Sequence, residues 1–257
     1  QNEKISAMIK IPKDDEGMYL CMATRKGLIK RSSLDIYRNT RRNGIIAVTL
    51  REDDELAWVK LTSGNDDLLV ATKKGMCIRF NENDARPLGR TASGVRAINL
   101  KENDEVIGMC VMEPDGKILT VSETGLGRIS CSDNYRVQSR GGKGLKNYNV
   151  DKYGDVAAVM DVDMEDDIIL VSSDGIIIRI PADAVRICAR PSKGVKVMKL
   201  GEGEISRAES GDYPVFLFDD VLSELDARRQ DFVLNSISGG QVLITCCEDS
   251  GISRRTG

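Results

Sequence analysis

There is no histidine anywhere in the 257 residues. That absence removes Ser-His-Asp and Cys-His nucleophilic chemistry and the commonest zinc ligand. Aromatic residues are only 4% of the chain, and they are not interleaved with the glycines and arginines of its basic segments, which argues against base stacking on single strands. No apolar run approaches the ~18 residues needed to span a bilayer. The polar stretch Gln1–Lys13 lacks the apolar core of a secretory signal. No membrane partner and a cytoplasmic location are therefore expected. The seven cysteines, Cys21, Cys77, Cys110, Cys131, Cys188, Cys246 and Cys247, include no C-x-x-C pair. Most sit in apolar runs and read as reduced, buried small hydrophobes. A G-x-x-x-x-G-K-[ST] phosphate loop is also absent. Position 1 is Gln rather than Met, so the natural N-terminus is expected upstream.

What is present is a repeat. Thr24–Arg31, Thr72–Arg79, Glu123–Arg128 and Ser173–Arg179 align on Gly27, Gly75, Gly125 and Gly175, spaced 48, 50 and 50 residues apart. A second series, Gly44, Gly94, Gly144 and Gly194, is spaced 50, 50 and 50. Each unit holds four short apolar runs; in the second they are Leu68–Thr72, Met76–Phe80, Val95–Leu100 and Val106–Met112. Val, Ile and Leu dominate, as in strands. Lys73-Lys74-Gly75 reads as a hairpin turn, with glycine supplying φ > 0. Four strands per ~50 residues is the period of a propeller blade. A fourth-type strand is also predicted at Ile5–Ile11, before the first unit, and none after the last. The chain thus reads as part of a larger ring.

Net charge is −3, but it is unevenly divided. Residues 205–257 hold 5 basic and 9 acidic residues, which leaves 32 and 31 in residues 1–204. Within the repeats, bases gather between strands two and three. The candidates are Arg38, Arg41 and Arg42; Arg86, Arg90 and Arg96; Arg136, Arg140, Lys143 and Lys146; and Arg186, Arg190, Lys193 and Lys196. Acids gather in other turns, such as Glu52–Glu55 and Glu102–Glu105. Equivalent loops of a blade ring share one rim, so a basic stripe is expected there. Such a stripe can track a phosphate backbone. Without interleaved aromatics, bent duplex DNA fits better than single strands. A solvated face with scattered arginines explains the charge pattern equally well.

More specific is Tyr135-Arg-Val-Gln-Ser-Arg-Gly-Gly-Lys-Gly144. It resembles the Q-R/K-R-G-G-R/K-G box of the DNA gyrase A C-terminal domain. Gln138, Arg140, Gly141, Gly142, Lys143 and Gly144 match, and Ser139 departs. Gly44–Val48, Arg86–Arg90 and Ser93–Arg96 are also similar to that family. The resemblance covers residues 1–204. It implies a mainly β fold, a β-pinwheel in which strands are exchanged between blades, with about four blades of four strands here. It implies duplex DNA wrapped on the basic rim in support of negative supercoiling. The remaining subunits of a bacterial gyrase, an ATP-dependent type II topoisomerase, would be partners. The family has about six blades, and its principal box belongs to the first; the match here lies in a later repeat. The family's cleavage tyrosine belongs to a domain outside this sequence, so strand breakage by these residues is not expected.

Residues 205–257 break the repeat and form a second expected unit, a short α/β fragment. Tyr213–Asp226 is an apolar strand followed by Asp219-Asp220 and Ser223-Glu-Leu-Asp226. Ala227–Ile237 reads as a helix and Gln241–Cys247 as a strand. The segment resembles the C-terminal part of the RecF recombination protein, with Walker B and D-loop motifs. That resemblance implies Mg²⁺ and ATP at Asp219, Asp220, Ser223 and Asp226. With no phosphate loop in the sequence, neither is expected to bind. A simpler reading has Ser223 capping a helix with acids at its N-terminus. The isolated tail strands are expected to carry bare edges. Two other functions stay open: a protein-interaction propeller that docks acidic partners, and a residual nucleotide-binding fragment.

Overall fold

The computed structural model describes residues 6–39, 43–172 and 175–200, and the backbone of 215–219 and 241–246. The first unit supplies β1 (Tyr19–Thr24), β2 (Leu28–Ser33) and β3 (Leu56–Thr62). The second supplies β4 (Asp67–Thr72), β5 (Met76–Asn81), β6 (Val95–Arg96) and β7 (Val106–Met112). The third supplies β8 (Lys117–Ser122), β9 (Leu126–Cys131), β10 (Leu145–Lys146), the one-turn helix α1 (Val150–Tyr153) and β11 (Val156–Val162). The fourth supplies β12 (Asp167–Val171), β13 (Ile177–Pro181) and β14 (Val195–Lys196). β15 (Val215–Asp219) and β16 (Gln241–Cys246) follow.

These strands form four sheets of four: β3-β1-β2-β6, β7-β4-β5-β10, β11-β8-β9-β14 and β13-β12-β16-β15. The first three are antiparallel throughout, and β15 pairs parallel to β16. Every sheet is built on a tight hairpin whose turn glycine takes positive φ, +80° at Gly27, +76° at Gly75, +75° at Gly125 and +80° at Gly175. In the first three sheets the two-residue edge strand comes from the following unit, so β6 leaves the second unit to join the first sheet. This is the strand exchange that the resemblance implies.

Side chains on both faces of β4 are buried, which is why its sequence runs apolar without alternation, whereas those of β13 are exposed or half-buried. The core lies between successive sheets. Cys21, Ala23 and Ile29 of the first meet Leu68, Val70, Ile78 and Phe80 of the second. Leu69, Ala71 and Cys77 of the second meet Ile118, Val156 and Val159 of the third. Burial pushes the Cys21 and Cys77 thiols up to about 12, and raises Cys110 as well. All five cysteines whose side chains are described are free, and Cys131 and Cys188 are half-buried.

Three sequence expectations need correction. The third strand, expected over Val95–Leu100, is only Val95–Arg96. Beyond it the chain turns onto the preceding hairpin: Ala97 N–H donates to the Gly27 carbonyl (2.8 Å), as Asn147 does to Gly75 (2.7 Å) and Val197 to Gly125 (2.9 Å). The strand expected at Ile5–Ile11 is not formed over residues 6–11. Ile9 packs against Leu20 and Met22, while Met8 and Ile11 stay exposed. The tail strands are not isolated: β16 lies antiparallel against β12, where β3, β7 and β11 lie in the other sheets, and shields one edge of β15. The expected helix Ala227–Ile237 lies outside the described residues.

Candidate nucleic-acid interface

The loops between hairpin and exchanged strand repeat in structure as well as in sequence. Each opens on a 3-10 turn (Leu34–Tyr37, Glu82–Asp84, Ser132–Asn134, Ala182–Ala184). Three later loops then bond back to a hairpin strand of the unit before. Leu88 N–H donates to the Arg31 carbonyl (2.8 Å), Gln138 N–H to Arg79 (2.7 Å) and Cys188 N–H to Ile129 (2.8 Å). Each of these loops closes on a glycine of positive φ, +94° at Gly94, +75° at Gly144 and +79° at Gly194. A Cβ on Gly94 would stand 2.6 Å from the Ile29 carbonyl oxygen, and one on Gly144 or Gly194 would overlap the carbonyl of Cys77 or Gly127. In the last three loops the second glycine series therefore marks where the loop is pressed against a hairpin strand; Gly44 shares the positive φ (+76°) but has nothing within 4 Å of where a Cβ would stand.

Neighbouring loops touch. Thr49 Oγ1 donates to the Thr91 carbonyl (2.7 Å). Gly141 N–H donates to Ala97, and Asn99 N–H to Gly142 (2.7 and 2.8 Å). Tyr148 Oη donates to Lys193 (2.9 Å). The four loops thus form one continuous row. Two recurring arginines fasten it. Arg140 donates through Nε to the Asp84 carbonyl (3.2 Å) and through Nη1 to that of Arg96. Arg190 makes the same fork 50 residues on, to Asn134 (2.7 Å) and Lys146 (2.9 Å). Arg90 keeps one arm of it, to Ile46 (3.4 Å). A guanidinium suits this role because its planar donors reach two carbonyls at once. Carbonyl partners leave its positive charge in place.

Over residues 82–96, 132–146 and 182–196, eight bases are exposed: Arg86, Arg96, Arg136, Lys143, Lys146, Arg186, Lys193 and Lys196. The exposed acids there are Asp84, Asp133 and Asp183, on the 3-10 turns. Lys146 makes a long, solvent-exposed ion pair with Asp151 (3.9 Å), of a kind that contributes little in water. Arg38 behaves differently. It pairs with Asp35 (2.8 Å) and Asp15 (2.6 Å), and those carboxylates raise its pKa. Gln138 carries a buried Oε1 with no donor among the described residues. Gly141 (φ +83°) and Gly142 shape the box turn. Arg41 and Arg42 lie outside the described residues, as do Asp220, Ser223 and Asp226; of Asp219 only the backbone, in β15, is described. Among the described residues no cluster of acids and cysteines could hold a metal ion, and no helix is long and apolar enough to cross a membrane.

At the hairpin turns most bases are balanced, although Lys26 Nζ reaches only the Glu52 carbonyl (3.3 Å). Arg25 meets Glu55 (3.2 Å) and Glu105 (3.1 Å), Lys73 meets Glu123 (3.1 Å), and Lys74 meets Asp155 (2.6 Å). Asp54 and Asp104 accept from the Lys26 and Lys74 N–H groups (2.9 Å each), so the acidic turns cap the hairpins. Uncompensated charge is thereby left on the loop row.

Two kinds of buried cation have no counterpart in the sequence reading. Arg31 is paired with the fully buried Glu82 at 2.8 Å and stacks on Tyr19. Lys30 and Arg128, equivalent in the repeat, are both buried inside the row's base. Lys30 Nζ donates to the carbonyls of Ala47 (2.6 Å) and Arg90. Desolvation, aided by the Arg90 charge, lowers its pKa to about 8. Arg128 bonds Ser130 and Asn147. In sequence these look like any other strand bases; only the depth of the strand sets them apart.

Comparison with known proteins agrees with this architecture. The DNA gyrase C-terminal domain (β-propeller) family model matches residues 19–63, 66–109, 116–163 and 166–205, one segment per sheet. The DNA gyrase A protein of Clostridium acetobutylicum is 52% identical over 91 residues, 35% of this chain and 11% of that protein. Its Staphylococcus epidermidis counterpart is 47% identical over 93 residues, 36% of this chain and 10% of that protein. The chain thus matches about a tenth of the length of these relatives. A solved DNA gyrase A C-terminal domain superposes with a TM-score of 0.66 at 25% identity, covering 74% of this chain and 65% of that one. The C-terminal domain of DNA topoisomerase IV gives 0.69 at 24% identity, over 73% and 60%. With four matched segments, one on each of the four sheets, the chain belongs to the DNA gyrase C-terminal domain family.

Proposed function

We propose that this chain binds and bends duplex DNA along its loop row, as the wrapping module of a gyrase-type enzyme. The observation that carries the reading is the continuous row of inter-bonded loops, in whose last three loops every exposed base but Lys146 lacks a carboxylate partner among the described residues, while Arg38 and most bases at the hairpin turns are paired. Phosphates spaced along a duplex meet such a row at many points. Each contact releases counterions, so affinity is summed from many weak, salt-sensitive terms. Most of the contacts are point charges on backbone phosphate, which position DNA without reading bases. In a full-length relative the same row would hold DNA beside the strand-passing domains and bias passage toward negative supercoils. On this reading the chain has no catalytic residue of its own.

Fluorescence anisotropy on a labelled duplex tests the reading. Affinity is expected to fall roughly a thousandfold between 50 and 200 mM salt, as for about six phosphate contacts. Absence of binding at 50 mM salt would overturn it. For the RecF-like tail we propose no nucleotide chemistry, because the sequence offers Asp219 and Asp220 no phosphate loop. Magnesium-dependent ATP turnover by the purified chain would contradict that.

A further inference from the structure

Three apolar side chains project from the loop row at one repeat position. Pro87, Val137 and Ile187 are all exposed, Val137 by 54% and Ile187 by 47%. Each directly follows an exposed arginine, Arg86, Arg136 or Arg186. A lone exposed hydrophobe is ordinary. The same position exposed in three successive units, always beside an arginine, is a pattern.

These tips are rigidly held. The next residue in each case donates its N–H to a hairpin strand, Leu88 to Arg31, Gln138 to Arg79 and Cys188 to Ile129, at 2.7–2.8 Å. Val137 and Ile187 also form isolated bridges with Arg79 and Ile129. An apolar group gains nothing against phosphate, which is hydrated. It gains against deoxyribose and opened base steps on the floor of the minor groove. The arginine beside it is the side chain that a narrowed, more negative minor groove attracts.

Building on the DNA-binding reading, we propose that Pro87, Val137 and Ile187 seat in the minor groove of the bound duplex. One arginine–apolar pair per unit makes the row a bending surface rather than a plain electrostatic track. The apolar tips would then favour flexible pyrimidine–purine steps at the points they touch.

The test uses the full chain and a duplex labelled at both ends for energy transfer. Wild type is expected to shorten the end-to-end distance. The triple variant Pro87→Ser, Val137→Ser, Ile187→Ser is expected to bind about tenfold more weakly. Its salt slope stays unchanged, because no charge is removed, and most of the shortening is lost. Netropsin, which fills the minor groove, should compete with wild type more strongly than with the variant. Exposed sites make unfolding of the variant unexpected; should its melting temperature fall, Val137→Thr alone, near-isosteric, carries the same comparison. A variant that bends DNA like wild type overturns this inference and leaves the DNA-binding reading intact. No binding by wild type overturns both.

Discussion

At the residue scale, similar arginines do different work. Arg140 and Arg136 share one loop, yet Arg140 spans the Asp84 and Arg96 carbonyls while Arg136 faces solvent. Arg140→Lys keeps the charge and loses the fork, since an ammonium cannot hold two divergent carbonyls in a plane. We expect a stability loss of about 1 kcal/mol, seen as a lowered melting temperature, with the salt slope of DNA binding unchanged. Lys30 makes a second test. Its pKa in the fold, about 8, lies below the ordinary 10.5. Between those values the unfolded chain holds more protons than the folded one, so stability rises with pH there. Below about 8 the cost of burying the charge is present in full. Denaturation of Lys30→Met across pH 7–11 should lack that rise; a wild-type-minus-variant difference flat in pH would contradict it.

At the scale of elements, hairpins and loops are unequally legible in the sequence. Gly75, Lys73 and Lys74 announce a tight turn, and Leu68–Thr72 and Met76–Phe80 nearly coincide with β4 and β5. The third strand is shorter than its apolar run because Ala97 and Ile98, as apolar as strand residues, serve the core instead. What ends the strand is a hydrogen bond from Ala97 to the carbonyl of Gly27, in the preceding unit, which local pattern does not encode. The glycine period is visible; its cause, the approach of Gly144 to the Cys77 carbonyl, needs the fold. Gly144→Ala combines a left-handed φ with a backbone overlap, and should cost about 3 kcal/mol. Chemical denaturation checks it, and a loss below about 1 kcal/mol would mean that the loop can lift from the hairpin. The box residues are recognisable by resemblance, but their division of labour is not. Gln138 hides its amide oxygen, Arg140 braces the loop, and Lys143 alone of these side chains stands exposed with its charge free of an ion pair among the described residues.

At the scale of the molecule, a net charge of −3 conceals a sorted surface. Acids in the hairpin-side turns cap backbone and neutralise local bases. The loop row keeps its charge because the partners of its buried and half-buried cations are mostly carbonyls. The most direct test of that sorting is the salt slope of duplex binding, measured for wild type and for a variant with Arg136, Lys143, Arg186 and Lys193 each changed to Ser. These four side chains are exposed, so the fold should persist. The slope is expected to shallow by about 0.9 for each base that contacts phosphate, roughly three to four units in all. An unchanged slope, with the melting temperature preserved, would contradict the assignment of the loop row as the DNA-binding surface.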